Sequence, residues 1–292
     1  MSIFMQSLLE EFVLQLDITH NITKLFANYF SPWLLWLGPK LVLIFDDPES
    51  IEPRFQIFND SGILDDSAVV ISGISGKFPK SNNINDLREN LINGEDCVSA
   101  DHTRFKLCHS CKVSSRLGLI SNLTKFDNFF FGISAIQAKF MAPEIKMALE
   151  VTFEAIIDAG INPVELRNKK TNVYGILSLY ESDCYAIKDK TQENGYSLLG
   201  YCRGLLANRI SFCMGLTGSS CTIDSTSTSS SLAIQKAYDA IKAGDCDYAI
   251  VSGGIISLLP QTSYQLYDLG LLSTDGVSRS FDKKASGFTR SD

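Results

Sequence analysis

The chain of 292 residues carries a formal net charge of −7 and a pI near 5.1, with 45% hydrophobic and 20% charged residues. That composition suits a globular protein of one large or two modest domains. It excludes a disordered chain and a broad electrostatic grip on nucleic acid or anionic lipid, both of which need clustered Lys and Arg.

Residues 1–46 read as a hydrophobic leader of unassigned role. The stretch 25–45 is long enough to span a bilayer, but Asn28, Pro32, Gly38, Pro39 and Lys40 interrupt it, so a core or docking segment is expected rather than a membrane span. No basic region begins it and no small-residue cleavage site ends it, which excludes a signal peptide. The sequons at Asn21 and Asn122 would matter only in a secreted chain. Residues 47–67 are a polar, Pro-containing linker, and residues 68–292 form the folded domain.

Within that domain VVISGIS (69–75), NVYGILSLY (172–180), SCTID (220–224) and DYAIVSGGIISL (247–258) are short, apolar and β-branched, as buried strands of an α/β sheet are. GISGKFPKS fails as a phosphate-binding loop, because Ile71 and Phe78 stand where glycine and Ser or Thr are required. Cys108-His-Ser-Cys111 has the spacing of half a zinc site, but no second pair follows and no metal is expected. The eight cysteines, at 97, 108, 111, 184, 202, 213, 221 and 246, lack the spacing of a disulfide framework and point to a reducing, cytoplasmic setting.

The segment 143–160 predicts a helix: Ile145, Leu149, Thr152 and Ile156 repeat at helical spacing, Pro143 sits in the first turn and Gly160 supplies a stop. A second helix is expected from about Thr228 through Gly244, with Leu232, Ile234, Ala237, Tyr238 and Ile241 available to bury. Between Asp224, which ends a strand, and this helix lies a run of hydroxyl residues, IDSTSTSSS. Such a run caps a helix or holds a nucleophile where free N–H groups favour negative charge.

Several longer stretches arrive in a recognisable order. They are VVISGISGKFPKSNNINDLRENLINGEDCVS, FDNFFFGIS, MAPEIKMALEVTFEAIIDAGINP, LLANRISFCMGLTG, SGGIISLLP and LGLLSTDGVSRSFDKKASGFTRSD. The ordered set resembles the β-ketoacyl synthase (ketosynthase) domain of animal-type fatty acid synthases and of polyketide synthases. The resemblance implies an α/β, thiolase-like layered α-β-α fold, here the N-terminal half plus the start of the second and therefore incomplete. It also implies acyl transfer from a phosphopantetheine-linked carrier thioester, then decarboxylative condensation with malonyl carrier in fatty acid biosynthesis. An acyl carrier protein domain is the implied partner, with a homodimer or the remainder of a larger polypeptide as the assembly, and no cofactor is implied beyond the phosphopantetheine-linked substrates.

The family's turn DTACSSS, laid on residues 224–230, puts Ser227 where the reactive cysteine belongs. Cys221 and Cys213 occupy other positions and are not natural substitutes. A thiol becomes a thiolate at a helix N-terminus, whereas serine titrates far higher and needs an adjacent general base. His20, His102 and His109 precede the turn and match no catalytic motif of the family. Other departures are Ala142 and Lys146 in place of an acidic residue and Arg, and Asn172 in place of glycine. A serine hydrolase is excluded because no Gly-x-Ser-x-Gly elbow surrounds Ser227. The expectation is a ketosynthase fragment without condensation activity of its own, or a non-catalytic pseudo-ketosynthase that binds an acyl carrier or a sister subunit.

Overall fold

The computed structural model describes residues 40–46, 69–101, 103–105, 112–184 and 195–292. Five strands make one sheet: β1 (Lys40–Asp46), β2 (Val70–Lys77), β3 (Thr171–Ile176), β4 (Ser220–Ile223) and β5 (Tyr248–Gly253), in the order β2-β1-β5-β3-β4. β3 is parallel to both β4 and β5, while β1 runs antiparallel to β2 on one side and to β5 on the other. The four strands anticipated from the sequence are therefore all present. The fifth, β1, comes from the end of the stretch read as a leader; the rest of residues 1–67 lies outside the described residues.

Helices cover both faces. They are α1 (Ile84–Ile92), α2 (Ala135–Phe140), α3 (Pro143–Asp158), α4 (Gly195–Tyr201), α5 (Leu205–Met214), α6 (Ser229–Lys242) and α7 (Pro260–Asp268). Period-two alternation sends neighbouring strand residues to opposite faces. Val173 and Ile250 join the core of α3 and α5, whereas Tyr174, Ala249 and Val251 join the core of α6. The result is an α-β-α layering.

α3 behaves as its sequence dictates. Pro143 lies in the first turn, Ile145, Leu149, Thr152 and Ile156 are buried, and Gly160 follows the helix with φ +74°. Its acidic face grips β2 directly. Asp158 accepts the Ile74 N–H (2.8 Å), Glu154 accepts the Ser75 hydroxyl (2.7 Å) and Glu150 pairs with Lys77 (2.7 Å). Gly73 allows this approach: a Cβ there would stand 2.2 Å from the Ala155 carbonyl oxygen.

α6 differs from its sequence reading in the residues it buries. Ala233, Ala237 and Ala240 are buried, Ile234 and Ile241 are partly so, and Leu232 and Tyr238 are exposed. A helix seated this close to a sheet selects small side chains for its contact face.

Two buried ionic centres tie the C-terminal segment to the core. Arg290 pairs with Glu181 and donates to the Leu259 carbonyl (3.1 Å) and the Ser263 hydroxyl (2.9 Å), while Glu181 also accepts the N–H groups of Leu258 and Leu259 at 2.7 Å each. The Asp292 carboxylate accepts the N–H groups of Ser257 (2.7 Å) and Ile120 (3.0 Å) and pairs with Arg104. Among the described residues no helix is long and apolar enough to cross a membrane.

Candidate functional site

β4 ends at Ile223, a single 3-10 turn covers Thr226–Thr228, and α6 begins at Ser229. The hydroxyl run thus occupies a strand-to-helix turn, as its sequence position predicts. Most of its hydroxyls are committed to holding that turn. Ser229, buried at the start of α6, accepts the Ser225 N–H (2.8 Å) and donates to the Thr226 carbonyl (2.8 Å). Thr226 and Thr228 both donate to the Ser225 carbonyl, at 2.8 and 2.9 Å. Capping is therefore the right account of these residues.

Two supports come from outside the run. Asp224 accepts the Thr226 N–H (3.1 Å) and the hydroxyl of Ser178 (3.0 Å), which also lies 2.9 Å from the Ser229 hydroxyl. Arg203 places its guanidinium 3.5 Å from Asp224 and 3.4 Å from Asp183, over the ring of Tyr180. Tyr180 is buried, and burial pushes its phenol pKa up, with Glu144 adding to the effect. The sequence carries no local signal for Ser178 or Arg203 as parts of this turn. Ser178 arrives through the parallel pairing of β3 with β4, and Arg203 through the approach of the loop before α5.

Thr226 adopts φ +54°, a left-handed conformation that a β-branched residue rarely takes. Strain of this kind is held in place by surrounding structure, here by Asp224, Ser178 and Ser229.

Ser227 is the exception within the run. It is half-buried in the turn before α6, and its hydroxyl has no hydrogen-bond partner among the described residues. The N-terminus of α6 supplies roughly 0.3 to 1 kcal/mol to a negative charge beside it, far too little to ionise a serine hydroxyl. No imidazole stands among the described residues, because His20, His102 and His109 all lie outside them. Desolvation pushes the thiols of Cys213 and Cys221 above their usual range, opposed by Arg209 and Lys236 respectively, so neither is primed as a nucleophile. Cys108 and Cys111 lie outside the described residues, and no cluster of three or more metal-ligating side chains occurs among those described.

Residues 66–292 match the family model described as β-ketoacyl synthase, N-terminal domain. A fatty acid synthase of Anser anser anser is 41% identical over 224 residues, covering 77% of this chain and 63% of that protein. Probable polyketide synthase 23 of Dictyostelium discoideum is 31% identical over 249 residues, covering 83% of this chain and 10% of that one. Among solved structures, the oxazolomycin ketosynthase domain OzmH KS7 of Streptomyces albus JA3453 superposes with a TM-score of 0.64 at 27% identity, over 74% of this chain and 40% of that one. The ketosynthase from module 6 of the bacillaene synthase of Bacillus subtilis 168 gives 0.64 at 26% identity, over 74% and 37%. The chain spans less than two thirds of the length of each of these relatives.

Proposed function

The chain belongs to the β-ketoacyl synthase family, and from that premise we propose that residues 224–230 are its acyl-accepting turn, with Ser227 in the nucleophile position and no condensation activity in this chain as it stands. Its fold is the N-terminal part of the thiolase-like layered α-β-α arrangement. The reading places an acyl thioester, presented on phosphopantetheine by a carrier domain, at the mouth of α6. There the free N–H groups of the first turn favour a developing oxyanion.

One observation carries the proposal: of the hydroxyls packed into this turn, that of Ser227 is not committed to a cap. The same observation limits the chemistry, since a serine without a base attacks no thioester. The free cysteines among the described residues support a reducing, cytoplasmic location.

Incubation with a short acyl-pantetheine thioester, followed by intact mass and peptide mapping, tests this. The natural chain should remain unmodified at Ser227, and Ser227→Cys should gain one acyl group there. An adduct on the natural Ser227 overturns the inactivity, and a folded Ser227→Cys chain that stays unmodified overturns the assignment of the position.

A binding role without turnover is the second reading, and the exposed apolar residues Leu198 (77%) on α4 and Phe212 (80%) on α5 favour it. A chain that binds a carrier domain or self-associates through these residues loses that association on Phe212→Asp.

A further inference from the structure

β1 is the one strand of this sheet that lies outside residues 66–292, yet it sits between β2 and β5 rather than at an edge. Its backbone is paired on both sides. Lys40–Asp46 runs antiparallel to β2 from Lys77 back to Val70, and residues 42–46 run antiparallel to β5 from Ser252 back to Tyr248. In a strand flanked on both sides, each N–H and C=O serves one neighbour or the other. Removing β1 therefore uncovers the inner edges of two strands at once. These two strands would then face each other across roughly twice the ~4.8 Å strand spacing, too far for direct pairing.

Both walls of that gap are held without help from β1. β5 pairs with β3 from Thr171 to Ile176. β2 is anchored to α3 through Asp158, Glu154 and Glu150, with Gly73 seated against Ala155 and Ala159. Subtracting β1 thus leaves a preformed slot with a row of unpaired backbone groups along each side.

The segment itself has the character of a strand buried on both faces, because the apolar run LVLIF lies between Lys40 and Asp46. Its tether is long. Adjacent antiparallel strands need roughly two to five connecting residues, and Asp46 stands far more than that ahead of Val70.

We propose that the gap between β2 and β5 is a strand-accepting site, which the chain fills with its own residues 40–46 and which a separate peptide of the same sequence can occupy by antiparallel addition. Recognition is by main-chain hydrogen bonds on both sides, with alternate apolar side chains directed to the two faces of the sheet. This inference is independent of the chemistry assigned to Ser227.

Hydrogen exchange on the full chain, followed residue by residue, is the test. In the natural protein the amides of residues 42–45 should be protected together with those of Ile250 and Val251. Leu43→Pro removes a donor in mid-strand and cannot pair there. It should speed exchange of the β2 and β5 amides that face the slot roughly 100-fold while α3 and α6 keep their protection. A synthetic peptide of residues 39–47 should restore that protection to within about tenfold, whereas the same peptide carrying Leu43→Pro should not.

Amides of residues 42–45 exchanging at the rate of an unstructured loop in the natural protein sink the proposal. So does a Leu43→Pro chain that remains folded and gains no protection from the peptide. If that variant loses its fold altogether, Ile44→Gly, which weakens the strand without deleting a donor, is taken through the same comparison, and rescue by the peptide is again required.

Discussion

Replacing Arg290 with Met removes three donors from a site where water cannot take their place. Arg290 is 2% exposed, and its guanidinium reaches Glu181, the Leu259 carbonyl and the Ser263 hydroxyl. Methionine keeps much of the aliphatic stem, so the loss is mainly electrostatic. Glu181 would keep the N–H groups of Leu258 and Leu259 but lose its countercharge while remaining 4% exposed. Stranding one partner of a buried pair costs about 3 to 5 kcal/mol. Glu181→Gln retains an acceptor for the two N–H groups but strands the guanidinium, at a similar or smaller cost. The double variant should be less destabilised than the sum of the singles by at least ~1.5 kcal/mol, because neither charge is then left alone. Urea titration of the four proteins measures all of this, provided the m-values agree. A cost below ~1 kcal/mol for Arg290→Met, or additivity within ~0.5 kcal/mol, refutes the account.

Gly73→Ala should destabilise by about 2 to 3 kcal/mol, since its Cβ would meet the Ala155 carbonyl oxygen at 2.2 Å and the Ala159 Cβ at 2.8 Å; a loss under ~0.5 kcal/mol by denaturant titration would mean β2 is not seated on α3 as described. Thr226→Gly should stabilise by about 0.5 to 1 kcal/mol by relieving the left-handed backbone at φ +54°, and a loss of stability of that size would contradict the strain. Burial lowers the pKa of Lys146 from the ordinary 10.5, so the unfolded chain holds that proton more tightly than the folded one. Its contribution to stability is therefore best above pH 10.5 and falls as the pH drops through the lowered value. Lys146→Met should accordingly exceed the natural protein in stability at pH 7 by a margin that shrinks toward pH 10.5; a margin that does not change with pH overturns this.

The four strands and two helices read from local pattern are those in which burial and periodicity agree, α3 most clearly. α6 was legible as an element but not in its orientation: hydrophobicity singles out Leu232 and Tyr238, whereas the distance to the sheet selects Ala233 and Ala240. β1 was not legible, because the apolar run that forms it merges with residues 25–39 and its partners lie at Val70–Lys77 and Tyr248–Gly253. For the turn, composition alone predicted caps, and for Ser225, Thr226, Thr228 and Ser229 that account holds. Only the resemblance drew attention to Ser227. The parts played by Ser178 and Arg203 depend on pairing and loop placement that no nearby residues encode.

The acidic face of α3 also acts as a ruler for β2. Four residues of helix advance roughly 6 Å and two residues of strand roughly 6.6 Å, so the two scales run almost in step over one interval and drift apart over the next. Lys77, Ser75 and the Ile74 N–H meet Glu150, Glu154 and Asp158 in a single alignment. Sliding the strand by two positions would bring Gly73 or Lys77 before Glu154 and forfeit the hydroxyl it holds. The helix thereby indexes its strand by length, leaving the sheet neighbours to add cohesion to a position already chosen.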